Sequence, residues 1–173
     1  MIIKQKEIVK LSKEGLPLAF NMGCYDILHV NHVRFINKIR CISNAALAIG
    51  ILDDSLVRYL KGMERPVNSQ DDRVELISNI KVVDYAFIVE DIGAFEYYKQ
   101  KYVLVNENQE LWKKYIHCVN TLRPREFYYS SSFAITQKMQ EALNDYTTIH
   151  RPLPYIGGIS TSRLISKIKE LQQ

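Results

Sequence analysis

The chain has 173 residues, of which 47% are hydrophobic and 24% are charged, a balance typical of one globular domain with a buried core. Its net charge of +4 is mild and comes without a dense basic stripe, which argues against a nucleic-acid-binding module. No run of eighteen apolar residues occurs, so we expect no membrane-spanning helix.

The cysteines and the first residues indicate a cellular compartment. Cys24, Cys41 and Cys118 stand at unrelated spacings with no CxxC pair, a pattern that predicts reduced thiols rather than disulfides or a zinc site. Residues 1–15 lack the apolar core and cleavage site of a signal peptide. We therefore expect a cytoplasmic protein.

Apolar strands alternate with amphipathic helices along the chain. Short apolar runs bounded by turn residues predict strands at residues 16–22, 45–52, 85–89, 126–130 and 147–153. Apolar residues three to four apart predict helices at 32–43, 70–80, 107–120, 134–144 and 160–171. This alternation predicts one α/β domain over residues 1–173, a Rossmann-like doubly wound parallel sheet of about five strands in a three-layer α/β/α arrangement.

The turn after the first strand is the first candidate site, because such sheets bind ligands beyond the carboxyl ends of their strands. It reads GCYDILHVNH over residues 23–32, at the start of a helix. A helix N-terminus offers free N–H groups and a partial positive charge to phosphate, and His29 and His32 can add imidazole donors. Two histidines at this spacing, taken alone, are more often ordinary surface residues at a helix start.

The turn before the last helix is the second candidate. Residues 157–163 read GGISTSR, and their hydroxyls and free N–H groups at one helix end can hold an anion. An ordinary N-cap also explains serine and threonine at this place.

Both turns match motifs of a known family. The string over residues 23–32 resembles the GCFDxLHxGH signature of the cytidylyltransferase-like nucleotidyltransferases, and GISTS at 158–162 resembles their GxSTT motif. KGMERPVN at residues 61–68 resembles the KGxxRPVN string of the adenylyltransferase domain of ADP-heptose synthases.

The resemblance implies an enzyme that transfers AMP or CMP from an NTP to a phosphorylated sugar or polyol and releases pyrophosphate. Adenylyl transfer to a heptose-phosphate-like acceptor is favoured over cytidylyl transfer to a polyol phosphate. Mg²⁺ with the NTP and a homodimer are further expectations from the family.

The resemblance also assigns roles to individual residues. Catalysis falls to His29, His32 and Lys61. Nucleotide binding falls to Asn21, Gly23, Cys24, Tyr25, Asp26, Asn31, Gly158, Ile159, Ser160, Thr161 and Ser162. Asp26 is a candidate Mg²⁺ ligand, although the spacing of the acidic residues defines no ligand set. Arg65 and Arg73 occupy positions that lie more often in the family's subunit interface than in its chemistry.

Three departures from the family pattern leave an alternative open. Asn31 replaces a glycine that lets the nucleotide approach the backbone, Tyr155 stands where an arginine is usual, and residues 128–132 lack the family's Gly-Asp pair. A catalytically impaired nucleotide-binding member of the same fold is the alternative that these departures suggest.

Overall fold

A computed structural model describes residues 1–89, 116–132, 135, 137–147, 149–154 and 156–171. The strands are β1 (Leu18–Gly23), β2 (Ala46–Leu52), β3 (Tyr85–Val89), β4 (Glu126–Ser130) and β5 (Ile149–Leu153). The helices are α1 (Gln5–Lys13), α2 (Val30–Ile42), α3 (Asp54–Lys61), α4 (Gln70–Ser78), α5 (Gln137–Tyr146) and α6 (Thr161–Glu170). Residues 116–122 are also helical.

The five strands form one sheet in the order β3-β2-β1-β4-β5, and every neighbouring pair is parallel. The chain winds outward from β1 to β3 and then returns to place β4 on the other side of β1. The predicted doubly wound parallel sheet is therefore confirmed, and its strand order reverses between β1 and β4.

Helices cover both faces of the sheet, because alternate side chains of each strand point to opposite sides. On one face, the core includes Ile8 of α1, Val57 of α3 and Leu143 of α5. On the other face, it includes Ile39 of α2 and Ile77 of α4. These two buried clusters confirm the three-layer α/β/α arrangement.

The pairing between β1 and β4 is unusually short. β1 pairs with β2 along its whole length, from Leu18↔Ala46 to Gly23↔Ile51, but with β4 only at Ala19↔Glu126 and Phe20↔Phe127. The pairing thus ends before the carboxyl ends of the two strands, which leaves space at the switch point of the sheet.

Two helices of the described residues were not among the predicted elements. One is α1, whose preceding residues extend the sheet edge through the Ile3 N–H, which donates to the Ala86 carbonyl at 3.0 Å. The other is α3, whose N-cap residue is Asp53. Its carboxylate caps the helix by accepting from the Leu56 N–H at 2.9 Å. At eight residues, α3 is too short for apolar periodicity to reveal.

The remaining predicted elements match their described parts. The predicted helix over residues 107–120 lies largely outside the described residues, but its described end is helical. The helix predicted at 134–144 is observed as α5, and the strand predicted at 147–153 as β5. Among the described ranges, no helix has the length and apolar character needed to span a membrane.

Gly50 of β2 offers a test of the core. A Cβ atom at this position would lie 2.7 Å from Cγ2 of Val89 and 3.1 Å from Cβ of Met22, so neighbouring groups must shift. We expect Gly50→Ala to lower the free energy of unfolding by about 1–3 kcal/mol through overpacking, measured by urea denaturation. Gly157→Ala is the matched control, because its Cβ meets no atom within 4 Å. Equal stabilities of the two variants would contradict this packing.

Candidate functional site

A cavity of about 320 Å³ lies beyond the carboxyl ends of β1 and β4, where their pairing has ended. Six segments line it: the end of β1 with its turn, the first turns of α2, the end of β2, the end of α3 with the following loop, the end of β4 with the residues after it, and the start of α6 with the loop before it. The lining consists of Asn21, Met22, Gly23, Cys24, Tyr25, Asp26, His29, Asn31, His32, Phe35, Leu52, Lys61, Arg65, Ser130, Ser132, Ile156, Ile159, Ser160, Thr161 and Ser162.

The cavity brings together almost all the residues for which the sequence predicts a role. His29, His32 and Lys61 line it, as do all the predicted nucleotide-binding residues except Gly158. Gly158 adjoins the lining residue Ile159 in the chain and has a φ of 99°, which bends the loop before α6. The individual roles of these residues stay predictions.

The histidine pair sits at the N-terminus of α2. His29 is the N-cap residue, and its backbone N–H lies 3.4 Å from Nδ1 of His32. The two imidazole rings stack with their centroids 3.8 Å apart and their planes 16° apart. The Tyr25 ring meets His32 edge-on at 5.3 Å. The pair is thus held in one orientation at a helix end that attracts anions.

Both imidazoles are neutral near pH 7. Burial above all, together with the neighbouring His29, lowers the pKa of His32 to about 4, although the Asp26 carboxylate acts in the opposite direction. Burial also lowers the pKa of His29. Within the described residues, the buried Nδ1 atom of His29 has no hydrogen-bond partner. Buried polar atoms are usually paired, so this nitrogen is available to a ligand.

The turn between β1 and α2 has an uncommon backbone. Tyr25 and Ile27 have φ values of 50° and 46°, in the left-handed region that non-glycine residues seldom adopt. The Tyr25 hydroxyl donates to Oδ1 of Asn21, and Nδ2 of Asn21 donates to the Tyr128 carbonyl at 2.7 Å. The Asn21 side chain therefore joins the turn to β4 at the place where strand pairing has ended.

Asp26 fixes the loop that follows α3. Its side chain is fully buried and accepts from Nε of Arg65 at 2.6 Å. It also accepts from the backbone N–H groups of Val67 at 3.1 Å and Asn68 at 3.0 Å. Burial by itself raises the pKa of Asp26, but the Asn68, Val67 and Arg65 hydrogen bonds outweigh it and hold the pKa below its usual value.

This arrangement does not fit a metal ligand. Three N–H donors already occupy the Asp26 carboxylate, whereas Mg²⁺ needs oxygen atoms that face the ion. Over the described ranges, no group of three or more His, Cys, Asp or Glu residues could hold a metal ion.

Arg73 ties α4 to the same turn. Its guanidinium donates to the Cys24 carbonyl, to the Asn68 carbonyl at 3.1 Å and to Oδ1 of Asp54 at 2.7 Å. The family resemblance suggested a subunit interface for Arg73. Because Arg73 is 0% exposed, its guanidinium is not on the surface where such an interface would form. Arg65 likewise binds Asp26 at the cavity wall rather than facing outward.

The start of α6 forms the opposite wall. Ser160 is the N-cap residue and accepts from the Arg163 N–H at 3.3 Å. The Thr161 hydroxyl donates to the Asp26 carbonyl, so this helix end is attached directly to the turn after β1. The Asn31 carboxamide contacts the preceding loop, over residues 156–159.

Several residues that line the cavity were not predicted from the sequence to have a catalytic or nucleotide-binding role. Arg65, Ser130 and Ser132 contribute polar groups, and Met22, Phe35, Leu52 and Ile156 contribute apolar ones. Ser130 is the last residue of β4 and Ser132 lies two residues beyond it, so the switch-point rule was a usable signal for both. Tyr155, one of the three departures from the family pattern, lies outside the described residues.

Comparison with known proteins gives concordant matches. A family model described as Cytidylyltransferase-like matches residues 20–167. Bifunctional protein HldE of Aliarcobacter butzleri is 39% identical over 95 residues, which are 55% of this chain and 20% of that protein. Bifunctional protein HldE of Geotalea uraniireducens is 27% identical over 164 residues, or 94% of this chain and 29% of that protein. The chain thus spans less than a third of the length of these two relatives.

Two solved structures share the fold. The lipopolysaccharide core biosynthesis protein of Thermoplasma volcanium has a TM-score of 0.56 at 19% identity, covering 82% of this chain and 100% of that chain. Pantoate-beta-alanine ligase of Francisella tularensis has a TM-score of 0.63 at 12% identity, covering 100% of this chain and 79% of that chain. At such identities the likeness establishes the fold alone.

The depressed pKa of His32 has a consequence for stability. The unfolded chain, with an ordinary His pKa of about 6.5, binds this proton more readily than the native state. The contribution of neutral His32 to the free energy of unfolding is therefore fully present above pH 6.5 and is lost as the pH drops toward 4. Between pH 7.5 and 5 we expect this group to lower the free energy of unfolding by about 1–2 kcal/mol. Urea denaturation of wild type and His32→Gln at both pH values measures this contribution. If the free energy of unfolding changed equally with pH in the two proteins, His32 would make no such contribution.

Asp26→Asn tests whether this carboxylate is a loop clamp or a metal ligand. The substitution leaves the Arg65 guanidinium without its anionic partner, so we expect a loss of about 2–4 kcal/mol in the free energy of unfolding. The loss should be the same in EDTA and in Mg²⁺, measured by urea denaturation. A loss that appears only with Mg²⁺ present would identify Asp26 as a metal ligand instead.

Proposed function

The chain belongs to the cytidylyltransferase-like family of nucleotidyltransferases, and from that premise we propose that it transfers a nucleoside monophosphate from an NTP to a phosphorylated sugar or polyol. The observation that carries the proposal is the convergence of the stacked histidines, Lys61 and the N-terminus of α6 on one cavity. These groups are phosphate-binding donors of three kinds. The match with the family confirms the resemblance found in the sequence.

The proposed reaction is an in-line displacement. An oxygen of the acceptor phosphate attacks the α-phosphorus of the NTP, and the bond from that phosphorus to the α,β-bridging oxygen breaks. Pyrophosphate leaves with the bonding electron pair, and no covalent bond to the protein forms. Such a transfer needs positioning and charge stabilisation above all.

The residues of the cavity are suited to those two tasks. Each neutral imidazole of His29 and His32 keeps one N–H that can donate to a phosphate oxygen as charge grows in the transition state. Lys61 carries its ammonium on a flexible stem at the exposed end of α3, so its charge can follow the departing pyrophosphate. The Ser160–Ser162 segment offers hydroxyls at a helix N-terminus.

Mg²⁺ belongs to this proposal as a companion of the NTP, since magnesium in such sites is bound largely through substrate phosphates. It would neutralise phosphate charge when bound.

The acceptor and the base are narrower proposals. We favour adenylyl transfer to a heptose-phosphate-like acceptor, which the KGMERPVN string at residues 61–68 and the HldE relatives support. Transfer of CMP to a polyol phosphate is the other possibility within the class.

The alternative of an impaired nucleotide-binding protein gains no support from the described residues. It relied in part on Asn31 as an obstruction in the cavity. The Asn31 carboxamide instead makes hydrogen bonds to the loop before α6, so the side chain has a structural role of its own.

The other expectations stay predictions. We propose a homodimer on the strength of the family resemblance, and residues 1–173 as a single nucleotidyltransferase domain. A cytoplasmic location remains an expectation from the sequence.

A nucleotide screen tests the proposed function. We expect ATP or CTP with Mg²⁺ to raise the melting temperature of the purified protein above that with GTP or UTP, because ligand binding stabilises the native state. Pyrophosphate release should then follow when a heptose phosphate or glycerol 3-phosphate is added.

Variants locate the activity in the cavity. We expect His29→Ala and His32→Ala each to lower kcat/KM by about 100- to 1,000-fold, as for loss of a transition-state donor. His150→Ala is the matched control, because His150 lies outside the cavity lining and binds Asn144. The proposal would be contradicted if none of the four NTPs bound, or if no acceptor led to release of pyrophosphate from the NTP.

A further inference from the structure

Asn31 contacts a segment far away in the sequence. It is the second residue of α2 and only 7% exposed. Its Nδ2 atom lies 2.9 Å from the Ile156 carbonyl oxygen, 3.1 Å from that of Gly157 and 2.9 Å from that of Ile159. Its Oδ1 atom accepts from Nη1 of Arg34 at 3.3 Å. The carboxamide orientation is therefore fixed, because the reverse orientation would set an oxygen against three carbonyls.

The loop before α6 depends on side-chain donors. β5 ends at Leu153, and the carbonyls of residues 156, 157 and 159 accept from Asn31. The remaining carbonyl of this run, that of Gly158, accepts from Nη1 of Arg163 at 2.7 Å. A glycine at position 31 would remove the side-chain donor to three of the four carbonyls in residues 156–159.

The helix that follows has little apolar packing to hold it. No residue of α6 is buried: its apolar Leu164 and Ile165 are half-buried, and Ile168 is 51% exposed. The start of the helix is instead attached through the Thr161 hydroxyl to the Asp26 carbonyl, and through the loop to Asn31. Polar contacts to the β1–α2 region thus decide where the N-terminus of α6 lies.

We propose that Asn31 is a positioning residue, which holds residues 156–159 so that Ser160 and Thr161 face the His29–His32 pair before a nucleotide arrives. The kinetic part of this inference rests on the proposed function, whereas the anchoring itself is a property of the free protein. A site that is ordered in advance loses less entropy on binding, which favours affinity. Asn31, which replaces the family glycine, then adds a support for the loop before α6 and does not impair the nucleotide site.

Hydrogen exchange of the free protein tests the anchoring. The backbone amides of Arg163 and Leu164 donate to Ser160 in the native state. We expect them to exchange about tenfold faster or more in Asn31→Gly and Asn31→Ala than in wild type, because local opening becomes easier. Amides of β1, β2 and β3 should be unchanged. Asn37→Gly is the matched control, because Asn37 is exposed on the same helix and the substitution brings the same glycine flexibility.

Asn31→Asp separates hydrogen bonding from space filling. Aspartate has nearly the same shape and keeps an acceptor for Arg34, but it lacks the two N–H donors. An acidic residue in the first turn also suits the helix dipole, so α2 itself should not be weakened. We expect exchange at the amides of Arg163 and Leu164 to rise as in Asn31→Gly. An exchange rate equal to that of wild type in Asn31→Gly or in Asn31→Asp would overturn the inference, whatever the nucleotide experiments show.

Steady-state kinetics test the consequence for the proposed reaction. We expect Asn31→Gly to raise KM for the NTP about tenfold and to change kcat less than about threefold, since the loop must then be ordered during binding. A lower KM in this variant would mean that Asn31 obstructs the nucleotide, and the positioning role would be wrong. Absence of turnover in wild type would refute the proposed function alone, because hydrogen exchange still decides the anchoring.

Discussion

The early end of pairing between β1 and β4 is the constraint on which the site depends. β1 continues three residues beyond its last pair with β4, and the sheet reverses its strand order at this same place. Parallel strands that separate at a switch point leave a crevice at their carboxyl ends. The Asn21 side chain donates to the Tyr128 carbonyl at this place. A single side-chain hydrogen bond therefore links the two strands where their backbone pairing has ended.

Partly buried polar contacts connect the walls of that crevice to one another. Asp26 holds the loop after α3, Arg73 connects α4 with the Cys24 carbonyl, and Asn31 and Thr161 hold the start of α6. An unpaired buried polar group is costly, whereas a satisfied network fixes one geometry. The groups that support the walls are thus largely distinct from the histidines and Lys61, which are left to meet a ligand.

Chain-specific residues strengthen the family's framework. Tyr25 replaces the family's phenylalanine, and its hydroxyl donates to Asn21, which secures a turn with an uncommon backbone. Asn31 replaces the family's glycine and supplies donors to the loop before α6. Both residues bring a polar group that finds a hydrogen-bond partner, which is the condition under which a buried polar group stabilises a fold.

The sequence by itself determined the layered α/β fold and the two turns that carry the candidate site. The period of the apolar residues is local, so strands such as β2 and β3 and the helix α2 could be predicted from it. The resemblance of residues 23–32 and 158–162 to family motifs named most of the cavity lining in advance.

Only the tertiary structure decided which polar side chains meet. Asp26 and Arg65 are 39 positions apart, and Asn31 and Ile159 are 128 apart, so no local pattern relates them. Their contacts follow from the winding of the chain, which brings the turn after β1, the loop after α3 and the start of α6 to one edge of the sheet. The burial of Arg73 and the anchoring of the loop by Asn31 are consequences of that winding, because a side chain's partners depend on the path of the whole backbone.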